Sequence, residues 1–298
     1  MKNIITIIIR LTLSCLLAAF VMGIFFVMTS KAKKHNEHVN EEKVMYSLLG
    51  YKVGAPVPET VKLYAVYRYI VTDPAGKSIG YLVPTGQGAE TGFSFIILDL
   101  DGKLIEQKPV TVTADDAAEA ESRDKAIKAA LGAGKEAVYA DDKTIIVTDN
   151  GARTAYLLSG KFAGFKASIS VMLALKTDFG IRGLAIVEHE EDPGLGAEIE
   201  KGYFKNQFIG KSFATLKTLD VVKEPLPDAY AKAMEGVKGE DGGKILEQYK
   251  DHAIYALTGA TISSRAVTNG VKGTVAKFAY RINILDNVLK EQHIVVPF

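Results

Sequence analysis

The 298-residue chain has one cysteine, Cys15, and no tryptophan. A lone thiol excludes an internal disulfide, a four-cysteine iron–sulfur cluster, a cysteine-rich zinc site and a Cys-x-x-Cys-His haem attachment. If the chain handles electrons, these absences point to an organic carrier. An excess of one charge is also missing: 36 Lys plus Arg face 35 Asp plus Glu, a formal net charge of +1. No basic field calls for nucleic acid. The five histidines, His35, His38, His189, His252 and His293, are scattered. They form no histidine-rich motif, and no metal is expected.

Apolar residues are unevenly spread. From Leu11 to Ser30 the chain reads LTLSCLLAAFVMGIFFVMTS, twenty residues without a charge. A helix of that length crosses about 30 Å of hydrocarbon, so a membrane anchor is the leading reading. The competitor is a cleaved signal peptide, whose apolar region runs to about 7 to 15 residues before a small-residue cleavage site. Only Ser30-Lys31-Ala32 resembles such a site. Lys2 and Arg10 precede the apolar run and Lys31, Lys33 and Lys34 follow it, so the positive-inside count does not fix orientation. Thr12-Leu13-Ser14 makes a poor lipoprotein signal, and Cys15 is read as a small apolar filler.

The remainder reads as α+β. Residues 31–43, KAKKHNEHVNEEK, form a juxtamembrane stalk or the start of a helix. KLYAVYRYIVTD alternates as a strand, with a turn signal at Asp73-Pro74 and Gly76. GFSFIILDLDGKLIE predicts two strands around an Asp-Gly turn. Residues 80–106 can be laid over 155–186, Tyr81 on Tyr156 at an offset of 75. A duplicated β lobe is one reading of that match and coincidence of strand grammar the other. Between them, TADDAAEAESRDKAIKAALGAGK predicts a helix capped by Thr113, favoured by Asp115 and Asp116, ended by Gly132 or Gly134, and carrying its charges on a solvated face. Residues 223–244 are loop-prone. The expected division is an anchor at 1–30, a stalk at 31–43, a β-rich lobe with a helical insertion at 44–150 and a last domain at 151–298.

Two stretches carry the functional signal. The first, LTGATISSRAV at 257–267, crowds Thr258, Thr261, Ser263 and Ser264 around Gly259 and Ala260. Val267, Val271, Val275, Phe278, Ile282, Leu285 and Leu289 then recur at helical spacing, so the hydroxyl cluster sits at a helix N-terminus. Free N–H groups and the positive end of the dipole favour an anion there, and Arg265 adds a charge one turn in. A hydroxyl-rich helix start is more commonly just a cap. The second stretch, VEHEEDPGLGAEIE at 187–200, follows a strand and places Gly194 and Gly196 around Leu195. Such a loop can offer backbone N–H groups and one apolar side chain to a flat ligand. Its carboxylates alone would read as an acidic loop face.

Taken together, TGATISSRAV and PGLGAEIEKGYFKNQFIGK resemble the FMN-binding G subunit of the Rnf electron transport complex and the homologous C subunit of the sodium-pumping NADH:quinone reductase. The resemblance covers about residues 150 to 285 and the anchor. It implies an FMN joined through its phosphate to Thr261 by a separate flavin transferase that uses FAD. Thr258, Gly259 and Ala260 would shape the turn, with Thr258 as the helix cap, and Glu191, Asp192, Leu195 and Gly196 would lie near the flavin. It further implies an extracytoplasmic domain on a single-pass anchor in a bacterial cytoplasmic membrane, with other membrane subunits as partners. Tyr255 stands where the family usually has an acidic residue, Asp192 where threonine is common, and residues 44–150 exceed the family's usual lead-in. A separate membrane flavoprotein serving another respiratory chain is one alternative, and a non-redox binding or scaffold module is the alternative from another class. A hydrolase built on the Ser/Thr cluster lacks an identifiable neighbouring base.

Overall fold

The computed structural model describes residues 2–52, 54–86, 92–236 and 242–298. Two compact units divide it, residues 1–47 and residues 48–298. The first is carried by α1, Lys2–Leu48. Its stretch Ile4–Phe26 has a mean hydropathy of 2.5 over 23 residues and is long and apolar enough to cross a membrane. The expected stalk at 31–43 is a continuation of this helix. No glycine or proline interrupts the chain between Gly23 and Gly50, so nothing in the backbone chemistry stops the helix sooner.

The second unit is built on one antiparallel sheet of eight strands in the order β4-β3-β2-β1-β5-β6-β7-β8. The first four are β1 (Val61–Asp73), β2 (Gly76–Thr85), β3 (Gly92–Leu98) and β4 (Leu104–Val110). The last four are β5 (Glu136–Asp149), β6 (Ala152–Ala163), β7 (Ser168–Lys176) and β8 (Ile181–Glu188). Each set is a meander, and the two are joined through their first strands, from Val61↔Asp149 to Thr72↔Glu136 with a bulge between Tyr67 and Tyr69. Tyr81 and Tyr156, superposed by the sequence offset, occupy the second strand of each meander and share one buried cluster. The residues between Thr85 and Gly92 in the expected first lobe include 87–91, outside the described residues. The boundary expected at 150/151 falls in the β5–β6 hairpin, where Asp149 pairs with Ala152. The sheet therefore runs across it without a break.

Strand alternation sorts the core onto two faces. On β1 to β3, Val66, Tyr81, Val83, Ile96 and Leu98 face one way, toward the long C-terminal helix α8 (Thr261–Glu291). Tyr67, Tyr69, Val71, Leu82, Phe95 and Ile97 face the other and pack with Ile127 and Leu131 of α3 (Ala120–Leu131). Every apolar position assigned to the α8 stripe, from Val267 to Leu289, is buried. The helix lies close on β6 because Gly270 has no side chain: a Cβ there would stand 2.2 Å from Cγ of Phe162. Farther along, Arg153 of β6 donates to both carboxylate oxygens of Asp286 at 2.7 and 3.0 Å. Glycine contact and bidentate ion pair thus fix how α8 lies along β6.

Thr113 caps the short helix α2 (Ala114–Ala118), its side chain accepting from the Asp116 N–H at 3.1 Å, and Gly132 ends α3 at φ 73°. The solvated face expected of this segment has an exception in Arg123, which is buried. Its guanidinium lies 4.2 Å over the Tyr67 ring and 4.7 Å over the Tyr139 ring, donates to the Tyr69 hydroxyl at 2.7 Å, and donates to the Ala117 carbonyl at 2.9 Å. Two rings on neighbouring strands and a tyrosine hydroxyl cover the charge, which no local sequence pattern announces.

Candidate functional site

Beyond β8 the chain wraps short helices over the α8 face: α4 (Gly202–Lys205), α5 (Phe213–Thr218), α6 (Asp228–Met234) and α7 (Gly242–Tyr249). Strands β9 (Val221–Val222) and β10 (Ile254–Tyr255) pair in parallel and aim the chain at residues 257–261. This approach is pinned from beneath. Gln207 accepts from the Tyr255 N–H at 2.8 Å and donates to the Tyr255 carbonyl at 3.2 Å. Lys211, fully buried, donates from Nζ to the carbonyls of Lys250 at 3.0 Å and His252 at 2.6 Å. Burial pushes its ammonium down to about 8, against a smaller upward pull from Asp251. Tyr255 itself packs among Tyr230 and Tyr249. Burial raises Tyr230 to about 12 and raises Tyr255 as well. A carboxylate in place of Tyr255 would meet these rings.

Residues 257–260 then form a turn, the Ala260 N–H donating to the Leu257 carbonyl at 3.0 Å with Gly259 at φ 76°. Glycine is required here twice over, by its backbone conformation and because a Cβ would stand 2.9 Å from Cδ2 of Leu195. Ser264 ties the turn to the helix: its Oγ accepts from the Leu257 N–H at 3.0 Å and donates to the Ala260 carbonyl at 2.9 Å.

Helix α8 starts at Thr261, and its N-cap is Ala260, which has no side-chain cap. The expected capping role of Thr258 is corrected by this geometry. The turn directs Thr258 to the surface, and Ser264 supplies the side-chain bonds from inside the helix instead. The amides of Thr261, Ile262 and Ser263 have no hydrogen-bond partner among the described residues. An uncapped helix start with three free donors suits an anion.

The loop after β8 supplies the opposite wall. His189 accepts from the Glu191 N–H at Nδ1, 3.0 Å, so Nε2 carries the proton toward Glu200 Oε1, also at 3.0 Å. Glu191 is buried and has both oxygens engaged. Oε1 accepts from the amides of Phe165 at 2.8 Å and Lys166 at 3.1 Å, and Oε2 accepts from the Ser263 hydroxyl. Gly164 and Gly196 leave room for it, since a Cβ would come within 2.4 and 2.5 Å of its two oxygens. The carboxylate thus bolts the β6–β7 turn to the first turn of α8. Asp192, nearer the surface, pairs with Lys166.

Seven of the expected site residues converge. Glu191, Asp192, Leu195, Gly196, Gly259, Ala260 and Thr261 line one cavity of about 240 Å³, together with Phe165, Ile262 and Ser263. Phe165, Leu195 and Ile262 are 60, 46 and 58% exposed, an apolar rim beside the Thr261 hydroxyl. Leu195 also lines a neighbouring cavity of about 280 Å³ with Thr258, Tyr203, Gln207, Leu226 and Tyr255. There the Tyr203 hydroxyl donates to Glu198 at 2.6 Å, and burial with that bond raises Tyr203 to about 12. Arg265 is exposed and lines neither cavity. Sequence reasoning overlooked Phe165, Lys166, Gln207 and Lys211. Gln207 and Lys211 lie within the quoted PGLGAEIEKGYFKNQFIGK, whereas nothing local marks Phe165 or Lys166.

Among the described residues no group of three or more His, Cys, Asp or Glu could hold a metal ion. Residues 164–276 match the family described as FMN-binding domain. The chain is 32% identical over 143 residues, 48% of its length and 60% of the relative's, to the G subunit of the proton-translocating ferredoxin:NAD(+) oxidoreductase complex of Clostridium ljungdahlii. It is 31% identical over 127 residues, 42% of its length and 50% of the relative's, to the G subunit of the Na(+)-translocating ferredoxin:NAD(+) oxidoreductase complex of Acetobacterium woodii. To the C subunit of the Na(+)-translocating NADH-quinone reductase of Yersinia pestis it is 28% identical over 181 residues, 58% and 60% of the two lengths. The chain thus spans between half and three fifths of these curated relatives.

Proposed function

We propose that this chain, which carries an FMN-binding domain similar to those of the G and C subunits of ion-translocating oxidoreductases, is a membrane-anchored electron-transfer subunit of an Rnf-type complex. In this reading an FMN is held as a phosphoester on Thr261. The higher identity to the two G subunits than to the C subunit favours the Rnf type. Ile4–Phe26 serves as the single-pass anchor in a bacterial cytoplasmic membrane, and the domain faces the extracytoplasmic side. A separate flavin transferase installs the cofactor, and other membrane subunits handle ferredoxin and NAD.

One observation carries the assignment: Thr261 is the first residue of an uncapped helix and opens into a cavity rimmed by Phe165, Leu195 and Ile262. The phosphate would take the free amides of Thr261, Ile262 and Ser263, where a single negative charge is favoured by the helix dipole. Apolar side chains at the rim would exclude water from one edge of a flat ring. Glu191 is a positioning residue here, because its oxygens are spent on Phe165, Lys166 and Ser263. Bound FMN supplies one-electron chemistry, while the protein supplies placement and electrostatics.

The test is expression of the full chain with a flavin transferase, followed by ultraviolet fluorescence of the denatured band and intact-mass measurement. The wild-type band should fluoresce and carry one added FMN phosphoryl group, and Thr261→Ala should remove both signals. A dark, unmodified wild-type chain in the presence of active transferase overturns the covalent assignment.

A further inference from the structure

A second cavity lies far from Thr261. It is about 350 Å³ and is walled on one side by α8, through Lys277, Tyr280, Arg281 and Ile284. These positions repeat at i, i+3, i+4 and i+7, so they share one helix face. Lys277 stands sixteen residues past Thr261, about 24 Å along the helix. The facing wall is the first meander, with Arg68, Tyr81 and Leu98 and the β3–β4 turn at Asp99, Leu100 and Gly102. Gly102 presses on the helix where a Cβ would stand 2.8 Å from Cγ2 of Ile284, which closes one end. Every lining residue lies outside 164–276, the FMN-binding match.

Two features point to a ligand. The first is charge: the lining holds Arg68, Lys277 and Arg281 and one carboxylate, Asp99, whose Oδ1 already accepts from the amides of Asp101 at 3.0 Å and Lys103 at 2.8 Å. Arg68 and Arg281 are engaged in further interactions, and Lys277 is exposed. The second is exposure. Among the described residues of 48–298, the two most exposed large apolar side chains are Leu100 at 70% and Tyr280 at 65%, and both line this cavity. Apolar groups left in water beside clustered cations suit a partner that carries both an acid and an apolar surface.

We propose that this cavity binds a small amphipathic organic anion, its acid group against Lys277 and Arg281 and its apolar body between Tyr280 and Leu100. An anionic lipid and a water-soluble aromatic or aliphatic acid share that chemistry. The site is independent of the flavin assignment.

The probe is 6-fluoro-2-naphthoate, titrated by fluorine NMR into the full-length, transferase-treated protein in phosphatidylcholine nanodiscs. Saturable binding is expected, weakened at least tenfold by Lys277→Glu and at least fivefold by Leu100→Asp, both exposed positions outside the core. 2-Fluoronaphthalene, which lacks the acid, should not saturate. Repeating the titration with phosphatidylglycerol in the nanodiscs separates the sources: displacement of the probe assigns the site to a lipid acid group, and undiminished probe binding assigns it to a soluble acid. Absence of saturable binding, or equal affinity in wild type and both variants, overturns the proposal.

Discussion

The two meanders share their connectivity and diverge once the last strand of each has ended. After β4, Thr113 closes the N-terminus of α2 with its own hydroxyl, and the next helix buries Arg123 between rings. After β8, a loop buries Glu191 instead, and the helix it braces starts at Thr261, where the N-cap Ala260 offers no side-chain cap. One half spends its polar groups on closure; the other keeps three amides open beside an apolar rim. The same scaffold therefore yields a sealed end and a receptive end, and the difference lies in a few loop residues.

The sharpest way to break that contrast is to open the sealed half. Arg123→Ala should destabilise the protein by about 3 to 5 kcal/mol, the scale for emptying the site of a large buried side chain, because it also leaves the Tyr69 hydroxyl and the Ala117 carbonyl without their donor. Urea unfolding measures this. Flavin attachment in the folded fraction should be unchanged, and a loss of attachment there would show that the halves are coupled. Glu191→Ala attacks the other end: three donors lose their acceptor, at about 2 to 3 kcal/mol. Here attachment at Thr261 should slow as well. Glu191→Gln keeps an oxygen for the Phe165 and Lys166 amides and should recover most of the stability.

Lys211 sharpens the comparison through pH. Its folded value of about 8 lies below its ordinary 10.5, so between those values the unfolded chain holds more protons. Its contribution to stability must then rise with pH, the burial penalty being fully present below about 8. Measured against Lys211→Met between pH 8 and 9.5, below the ordinary tyrosine range, the wild type should gain about 1 to 2 kcal/mol. Gly259→Ala should cost about 1 to 2 kcal/mol for a left-handed backbone position and displace Leu195, read as altered flavin absorbance. Smallest is Thr258→Ala, expected within about 0.5 kcal/mol for an exposed side chain, with attachment intact because Thr258 caps nothing.

Much of this was readable along the chain. The α8 stripe, the Thr113 cap, the Asp73–Gly76 hairpin and the 75-residue echo of Tyr81 in Tyr156 all rest on local periodicity or turn chemistry, and each has its place in the fold. The convergence of the two quoted motifs on one cavity followed from their resemblance to a family, not from their spacing. What local reading missed has a common cause. Arg123 looked solvated because its covering rings come from β1 and β5. Glu191 read locally as part of an acidic loop face because its partners are 25, 26 and 72 residues away. Thr258 looked like a cap because that residue type favours caps, but Gly259 turns it outward and Ser264 takes its place.

The residues along the chain were enough for the long last helix, the strands beside the Asp73–Gly76 turn, the apolar N-terminal run and the hydroxyl cluster at Thr261, since those depend on residues a few positions apart. Residues 223–244, expected as loop, instead hold α6 and the start of α7. It takes the folded chain to fuse the meanders into one sheet, to hold the β6–β7 turn against α8 with a buried carboxylate, and to leave the helix start beside Thr261 open. These outcomes turn on packing and hydrogen bonds between residues distant in the chain, whose meeting is set by the whole fold and not by neighbours in sequence.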